Sequence, residues 1–214
     1  MRLRLGVLIS GRGSNLQALI DAARDPDFPA EVAIVISNKP DAPGMERARA
    51  AGIATEVIRP KDYADKPAHE AAVTAALAEA GVGLVCLAGY MRLLSPFFVD
   101  CWYDRLINIH PSLLPAFPGL ETHARAIEAG VRFHGCTVHY VRVEMDTGPI
   151  IVQAAVPVAD DDTPDCLAAR VLEQEHRAYP LAVRLIAEGR VTVEGNRVAV
   201  RGAGLADAVI GPLA

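Results

Sequence analysis

The sequence predicts an α/β fold: an open, mostly parallel, doubly wound sheet with a hairpin near its C-terminal end. Three observations predict it. Apolar runs at 3–9, 32–36, 83–88 and 106–109 have the length and branched content of buried parallel strands. Glycine- or proline-marked turns follow these runs and lead into segments with apolar residues at helical spacing. Residues 191–200 alternate on either side of Gly195-Asn196, the pattern of a hairpin. With 214 residues, 51% of them hydrophobic, the simplest account is one domain over 1–201 and a loosely held tail over 202–214.

The first strand ends in Ser10-Gly11-Arg12-Gly13-Ser14-Asn15, and Leu16, Leu19, Ile20 and Ala23 then recur at helical spacing. Glycines let the backbone approach a ligand, and the first N–H groups of the helix, with Ser14 and Asn15, suit an anion. The turn is not a P-loop, because no Gly-Lys-Ser/Thr follows. It is a poor dinucleotide fingerprint too. Leu16 replaces the last glycine, and the second strand ends in Ile36-Ser37-Asn38 without an acidic residue. A single phosphate fits better; the alternative is a turn that only caps a helix.

A loop at 38–44 leads to a short helix over 45–51 ended by Gly52, and a weaker strand follows at 54–58. Residues 59–67 are polar and carry Lys66; a solvated loop is expected, with contact to an acidic ligand as the alternative. The alanine-rich helix at 68–80 ends at Gly81. After the strand at 83–88, the segment from Gly89 to Pro96 carries Met91, Arg92, Leu93 and Leu94, which could sandwich a flat ring or simply pack in the core. Ser95-Pro96 reads as a helix cap and first turn.

The segment Leu-Ile-Asn-Ile-His-Pro at 106–111 places a carboxamide, Asn108, and an imidazole, His110, on one face of a strand at its carboxyl end. Ligands bind at that end of open α/β sheets. A donor for an oxygen beside a proton-carrying ring suits chemistry at a carbonyl. A helix at 121–129 is followed by an alternating strand at 134–141, which sets His134 and His139 on opposite faces and argues against a metal pair. A loop at 142–149 carries Glu144 and Asp146 and leads into a strand at 150–158. Asp160-Asp161-Asp162 reads as the acidic start of a long helix over 165–188, kinked at Pro180, rather than a metal site.

Composition narrows the function classes. The net charge is -5, no basic patch stands out and aromatics are 5%, so a nucleic-acid surface is not expected. Cys86, Cys101, Cys136 and Cys166 form no C-x-x-C pair, which points to free thiols in a reducing compartment and away from zinc. No apolar run reaches the roughly 18 residues of a membrane helix, and the first apolar run is too short for a signal peptide. A soluble cytoplasmic protein is expected.

Six motifs occur in order: Ile-Ser-Gly-Arg-Gly-Ser-Asn at 9–15, Leu-Ala-Gly-Tyr-Met-Arg-Leu-Leu-Ser at 87–95, Asn-Ile-His-Pro-Ser-Leu-Leu-Pro at 108–115, His-Gly-Cys-Thr-Val-His at 134–139, Asp-Thr-Gly-Pro at 146–149 and Gln-Glu-His-Arg-Ala-Tyr-Pro at 174–180. Together they resemble the phosphoribosylglycinamide formyltransferase family, folate-dependent enzymes of purine biosynthesis with a Rossmann-like formyltransferase fold. The resemblance runs from residue 3 to about residue 200. It implies that the amine of glycinamide ribonucleotide attacks the formyl carbon of 10-formyltetrahydrofolate, the cosubstrate. Asn108 would hold the formyl oxygen, His110 would stabilise the oxyanion and protonate the departing folate nitrogen, and Asp146 would pair with His110 and relay the amine's proton. Gly13, Ser14 and Asn15 would hold the phosphate and Glu175 the ribose hydroxyls. Asn108, Met91, Arg92, Leu93 and Leu94, with Arg142, Val143, Glu144, Met145 and Asp146, would line the pterin pocket. Lys66 stands where the family carries arginine near the folate tail; lysine keeps the charge without the planar fork. The resemblance implies no metal, no nucleic acid and no membrane, and a monomer or homodimer.

The nearest rival is formyltetrahydrofolate hydrolase, which uses the same Asn, His and Asp with water as nucleophile and usually carries an added N-terminal regulatory domain. Methionyl-tRNA formyltransferase calls for an added C-terminal domain and a basic surface. A non-catalytic binding module would have no need of Asn108, His110 and Asp146 together.

Overall fold

The computed structural model describes residues 1–202 and 209–210, and the chain divides into two compact units, Met1–Asn108 and Ile109–Ala214. The first unit is built on parallel strands in the order β3-β2-β1-β4-β5, where β1 is Leu3–Ile9, β2 Ala30–Ser37, β3 Ala54–Val57, β4 Leu84–Leu87 and β5 Leu106–His110. The last two residues of β5 already belong to the second unit. Leu5, Val7, Leu8 and Ile9 of β1 and Leu84, Val85 and Cys86 of β4 have at most 1% of their surface exposed. Such burial on both faces is why these strands read as continuous apolar runs and not as alternation.

Helices α1 (Ser14–Ala23), α2 (Gly44–Ala50), α3 (Lys66–Glu79) and α4 (Pro96–Cys101) belong to this unit. Helix α1 buries Asn15, Leu16, Leu19 and Ile20, the face its spacing predicts. Helix α4 starts as expected, with the Ser95 side chain accepting the Phe98 N–H and Pro96 in the first turn. Residues 59–67 differ from expectation. A short 3-10 turn occupies Pro60–Asp62, and α3 begins at Lys66 because the Asp65 carboxylate accepts the Ala68 N–H at 2.8 Å. Pro67 sits in the first turn, where its missing N–H costs nothing. Lys66 is therefore a helix residue. The buried face of α3 includes His69 and Glu70, two polar residues of the alanine-rich segment that face inward.

In the second unit β6 (Phe133–Tyr140) pairs antiparallel with β7 (Ile150–Pro157), and the short β10 (Val209–Ile210) runs parallel to β7. The rest of the tail expected over 202–214 lies outside the described residues beyond Gly202. Helix α5 is Thr122–Glu128, and the long α6, Pro164–Ala187, packs on β6 and β7. Pro180 lies inside α6 without ending it. The acidic run before α6 is a structural clamp. Arg170 donates to both carboxylate oxygens of Asp162 at 2.7 and 2.9 Å, and this pairing, with the Ala159 N–H, holds that carboxyl below its usual range. Among the described residues no group suits a metal ion. Strands β8 (Val191–Glu194) and β9 (Arg197–Val200) form the expected hairpin about Gly195-Asn196.

The β6–β7 register shifts between Val138 and His139, which pair with Val152 and Ile150, so the extra residue, Ile151, lies in β7. The count along β6 itself is uninterrupted, so the alternation that sets His134 and His139 on opposite faces runs through the shift.

Candidate active site

In the first unit, Gly13 precedes α1 at φ 70°, in the left-handed region, and no side chain caps the helix. A Cβ on Gly13 would stand 2.7 Å from the Cα of Gly44, and the Gly44 N–H donates to the Gly11 carbonyl at 3.0 Å. Two glycines thus let the turn after β1 rest backbone to backbone on the start of α2. No acidic residue occupies the first turn of α1. Its leading N–H groups, with the partly exposed Ser14, suit an anion.

The buried Ser10 links this turn to the loop after β4. Its hydroxyl donates to Asn38 Oδ1 at 2.6 Å and accepts the Met91 N–H at 2.9 Å, and its own N–H donates to the Gly89 carbonyl at 3.2 Å. Met91 is 62% exposed and Leu93 70%, so neither is a core residue, while Arg92 and Leu94 are half-buried. The far end of the loop is pinned by Glu70, buried on α3, whose carboxylate accepts both the backbone N–H of Ser95 at 2.9 Å and the Ser95 hydroxyl. Lys66 Nζ lies 4.0 Å from the same carboxylate. Burial pushes the Tyr90 phenol up to about 12, opposed by Arg92 and helped by Glu70.

Strand β5 carries Asn108, half-buried, and His110, buried. Nε2 of His110 lies 3.1 Å from the Phe117 carbonyl. A carbonyl only accepts, so Nε2 carries the proton, and Nδ1 is the nitrogen that faces Asp146 Oδ2 at 3.6 Å. Asp146 is in the left-handed region, φ 58°, and its Oδ2 also accepts the Gly119 N–H at 2.8 Å. A second imidazole, His139, lies on the other side of this carboxylate, with Nε2 4.0 Å from Oδ1. Of the 142–146 loop, Val143 and Met145 are exposed and Arg142 is half-buried. Thr147 donates to the Glu144 carbonyl at 3.0 Å. Leu114, Pro115, Pro118, Met145, Asp146 and Ile150 line an open cleft of about 260 Å³.

His110 has two further imidazole neighbours. The rings of His123 and His134 meet edge to face at 5.3 Å, and Phe117 meets His134 edge to face at 5.8 Å. His134 is 1% exposed, and neither of its nitrogens makes a well-formed hydrogen bond, although the Pro111 carbonyl partly favours its charged form. Burial, with His123 and His110 nearby, lowers it to about 4. His123 is lowered by burial and by His110. Glu175 is on the buried face of α6, where its charge joins burial in pushing the Cys136 thiol up.

The structure sets Nδ1 of His110 3.6 Å from Asp146 Oδ2. Sequence reasoning missed the contacts of Ser10, Gly44 and Glu70 in the first unit and of His139 in the second. Ser10 and His139 left traces, as members of the motifs at 9–15 and 134–139.

The chain was compared with known proteins. Residues 3–183 match the family model described as formyl transferase. Phosphoribosylglycinamide formyltransferase of Escherichia coli is 47% identical over 91% of this chain and 92% of its own. The trifunctional purine biosynthetic protein adenosine-3 of Drosophila melanogaster is 52% identical over 90% of this chain, which spans only 14% of that longer protein. The crystal structure of glycinamide ribonucleotide transformylase 1 from Symbiobacterium toebii superposes with a TM-score of 0.91 at 52% identity, covering 93% of this chain and 94% of that one. The chain belongs to the formyl transferase family, among the phosphoribosylglycinamide formyltransferases.

Proposed function

We propose that the chain moves the formyl group of 10-formyltetrahydrofolate to the amine of glycinamide ribonucleotide, giving formylglycinamide ribonucleotide and tetrahydrofolate. The observation that carries the reading is the His110–Asp146 pair, a buried imidazole 3.6 Å from a carboxylate at the end of β5. The amine is itself the nucleophile, so no activated side chain is required. Attack turns the formyl oxygen into an oxyanion, which needs donors aimed at it. The Asn108 amide supplies one, and the His110 Nε2–H, held for now by the Phe117 carbonyl, is offered as the other. Catalytic hydrogen bonds commonly rearrange when substrate arrives. Asp146 takes the proton lost by the amine through water and passes one to Nδ1 of His110, the nitrogen that faces it, as the Nε2 proton of His110 goes to the departing folate nitrogen.

The same reading gives Gly13, Ser14 and Asn15 the phosphate and Glu175 the ribose. Lys66, Met91, Arg92, Leu93 and Leu94, with Asn108 and residues 142–146, take the folate. Exposure of Met91, Leu93, Val143 and Met145 supports contact with a ligand rather than core packing. Interception of Lys66 by Glu70 weakens its claim to the folate tail. The proposal includes one functional domain over 1–201, supported by a family match that crosses the division between the units. Residence in the cytoplasm as a monomer or homodimer completes it.

The test is an absorbance assay of purified protein with 10-formyltetrahydrofolate, with and without glycinamide ribonucleotide. Deformylation that requires the ribonucleotide is expected. Deformylation without it would make the chain a formyltetrahydrofolate hydrolase, and silence in both with folate bound would make it a binding module.

A further inference from the structure

The turn between β5 and α5 touches both members of the His110–Asp146 pair. The Phe117 carbonyl accepts the Nε2–H of His110 at 3.1 Å, and two residues later the Gly119 N–H donates to Asp146 Oδ2 at 2.8 Å. A shift of this turn therefore disturbs the imidazole and the carboxylate together. The turn is not relaxed on its own. Phe117 has φ 52°, in the left-handed region, which a bulky side chain keeps only where its surroundings impose it.

Side chains impose it from both sides. Upstream, the hydroxyl of the fully buried Ser112 donates to the Ala116 carbonyl at 2.7 Å. Downstream, Nη1 of Arg125 donates to the Pro118 carbonyl at 2.5 Å and to the Leu120 carbonyl at 3.2 Å. The same guanidinium stands over the Phe117 ring, with Cζ 5.7 Å from the ring centre. Arg125 is the fourth residue of α5, and helical Cα–Cβ bonds tilt toward the N-terminus, so its side chain reaches back over the residues that lead into the helix. Helix α5 gives it a fixed base. Thr122 and Ala126 are at most 2% exposed, and the Thr122 hydroxyl donates to the Pro111 carbonyl at 2.6 Å. The carbonyls of Ala116, Phe117 and Pro118 are thus taken by three different side chains: Ser112, His110 and Arg125.

We propose that Arg125 is a positioning residue for the His110–Asp146 pair. It acts through the turn, fixing the Phe117 carbonyl that keeps the proton of the neutral His110 ring on Nε2 and the Gly119 N–H that orients Asp146. This rests on the formyl-transfer reading. Arg125 touches no reacting atom, and a guanidinium neither gives up nor gains a proton in the reaction, so its contribution is orientation alone.

The experiment measures kcat and KM for the unsubstituted protein, Arg125→Ala, Arg125→Met and Arg125→Lys, with thermal unfolding as a control. NMR follows the ring nitrogens of His110 and the exchange of the Gly119 amide. Expected for Arg125→Ala are a fall in kcat of roughly tenfold or more and KM within about threefold for both substrates. The two ring nitrogens should move toward a mixture of tautomers, and the Gly119 amide should exchange faster. Arg125→Lys, which keeps one donor group but not the planar fork, recovers part of kcat. Unchanged kcat in folded Arg125→Ala overturns the proposal. So does lost kcat with unmoved ring nitrogens and unchanged Gly119 exchange, or an equal loss in Arg125→Lys. If Arg125→Ala does not fold, the same readings on Arg125→Met, which keeps an unbranched stem against Phe117, decide in its place. The NMR readings need no turnover; loss of ribonucleotide dependence in the unsubstituted protein overturns the formyl-transfer reading instead.

Discussion

Nδ1 of His110 faces Oδ2 of Asp146 at 3.6 Å, across a carboxylate that also accepts the Gly119 N–H. The backbone sets both partners. Phe117 takes the other nitrogen of the ring, and Asp146 adopts a left-handed conformation that turns its side chain back toward Gly119. The imidazole and the carboxylate are each oriented by a peptide group, the Phe117 carbonyl and the Gly119 N–H, neither of which can change charge.

Asp146→Asn separates chemistry from structure. Asparagine tolerates the left-handed region as well as aspartate does, and its amide oxygen still accepts the Gly119 N–H. What it loses is the ability to take a proton. The expected result is a fall in kcat of about 10²–10⁴-fold with unfolding free energy within about 1 kcal/mol of the unsubstituted protein. Steady-state kinetics beside urea denaturation check this; a stability loss large enough to account for the lost turnover would count against the role.

Gly13 and Gly52 both have positive φ, 70° and 71°, but a Cβ on Gly13 would meet the Gly44 backbone whereas one on Gly52 meets nothing within 4 Å. Gly52→Ala should cost about 1–2 kcal/mol, the price of left-handed backbone alone. Gly13→Ala should cost more, because the turn after β1 must also move off Gly44. Denaturation of the two variants side by side reads the difference, and equal costs would mean that the contact contributes nothing. A phosphate held by this turn predicts weaker ribonucleotide binding in Gly13→Ala alone.

Glu70 is buried and accepts two hydrogen bonds from Ser95, 25 residues away. Glu70→Ala leaves the Ser95 N–H without its acceptor and should destabilise by about 2–3 kcal/mol; Glu70→Gln, which keeps one acceptor, should lose less. Amide exchange should quicken through 89–95 in Glu70→Ala. Unchanged protection there would show that Glu70 does not hold the loop.

Acid should weaken the fold through His134. Its folded value is lowered to about 4 from the ordinary 6.5, so between those values the unfolded chain binds a proton that the folded one refuses. The stabilisation is fully present above pH 6.5, declines as pH falls and is gone below about 4, on the order of 2–3 kcal/mol in all. His123, His139 and His176 are lowered too, chiefly by burial, and act in the same direction. Denaturation curves across this range should fall less steeply for His134→Phe, which keeps a ring against Phe117 and His123; an identical slope would assign the acid sensitivity elsewhere.

Local chemistry in the chain determined much of this protein by itself. Apolar runs defined β1, β4 and β5, Ser95-Pro96 marked the start of α4, Gly195-Asn196 the hairpin, and Asn108-Ile109-His110 the paired polar residues at a strand end. These features depend on residues within a few positions of one another, where propensity, periodicity and capping act directly. The start of α3 at Lys66 was local too, but its cap, Asp65, was hidden in a polar run that reads equally well as loop. Tertiary structure alone decided the rest. That Glu70 meets Ser95, that Gly13 rests on Gly44, and that His139 lies beside Asp146 depend on contacts made only once strands have paired. The reason is physical: a strand's period of two says which face a residue takes but not which residue of another segment meets it, and a buried carboxylate's partner is chosen by packing among residues far apart in the chain.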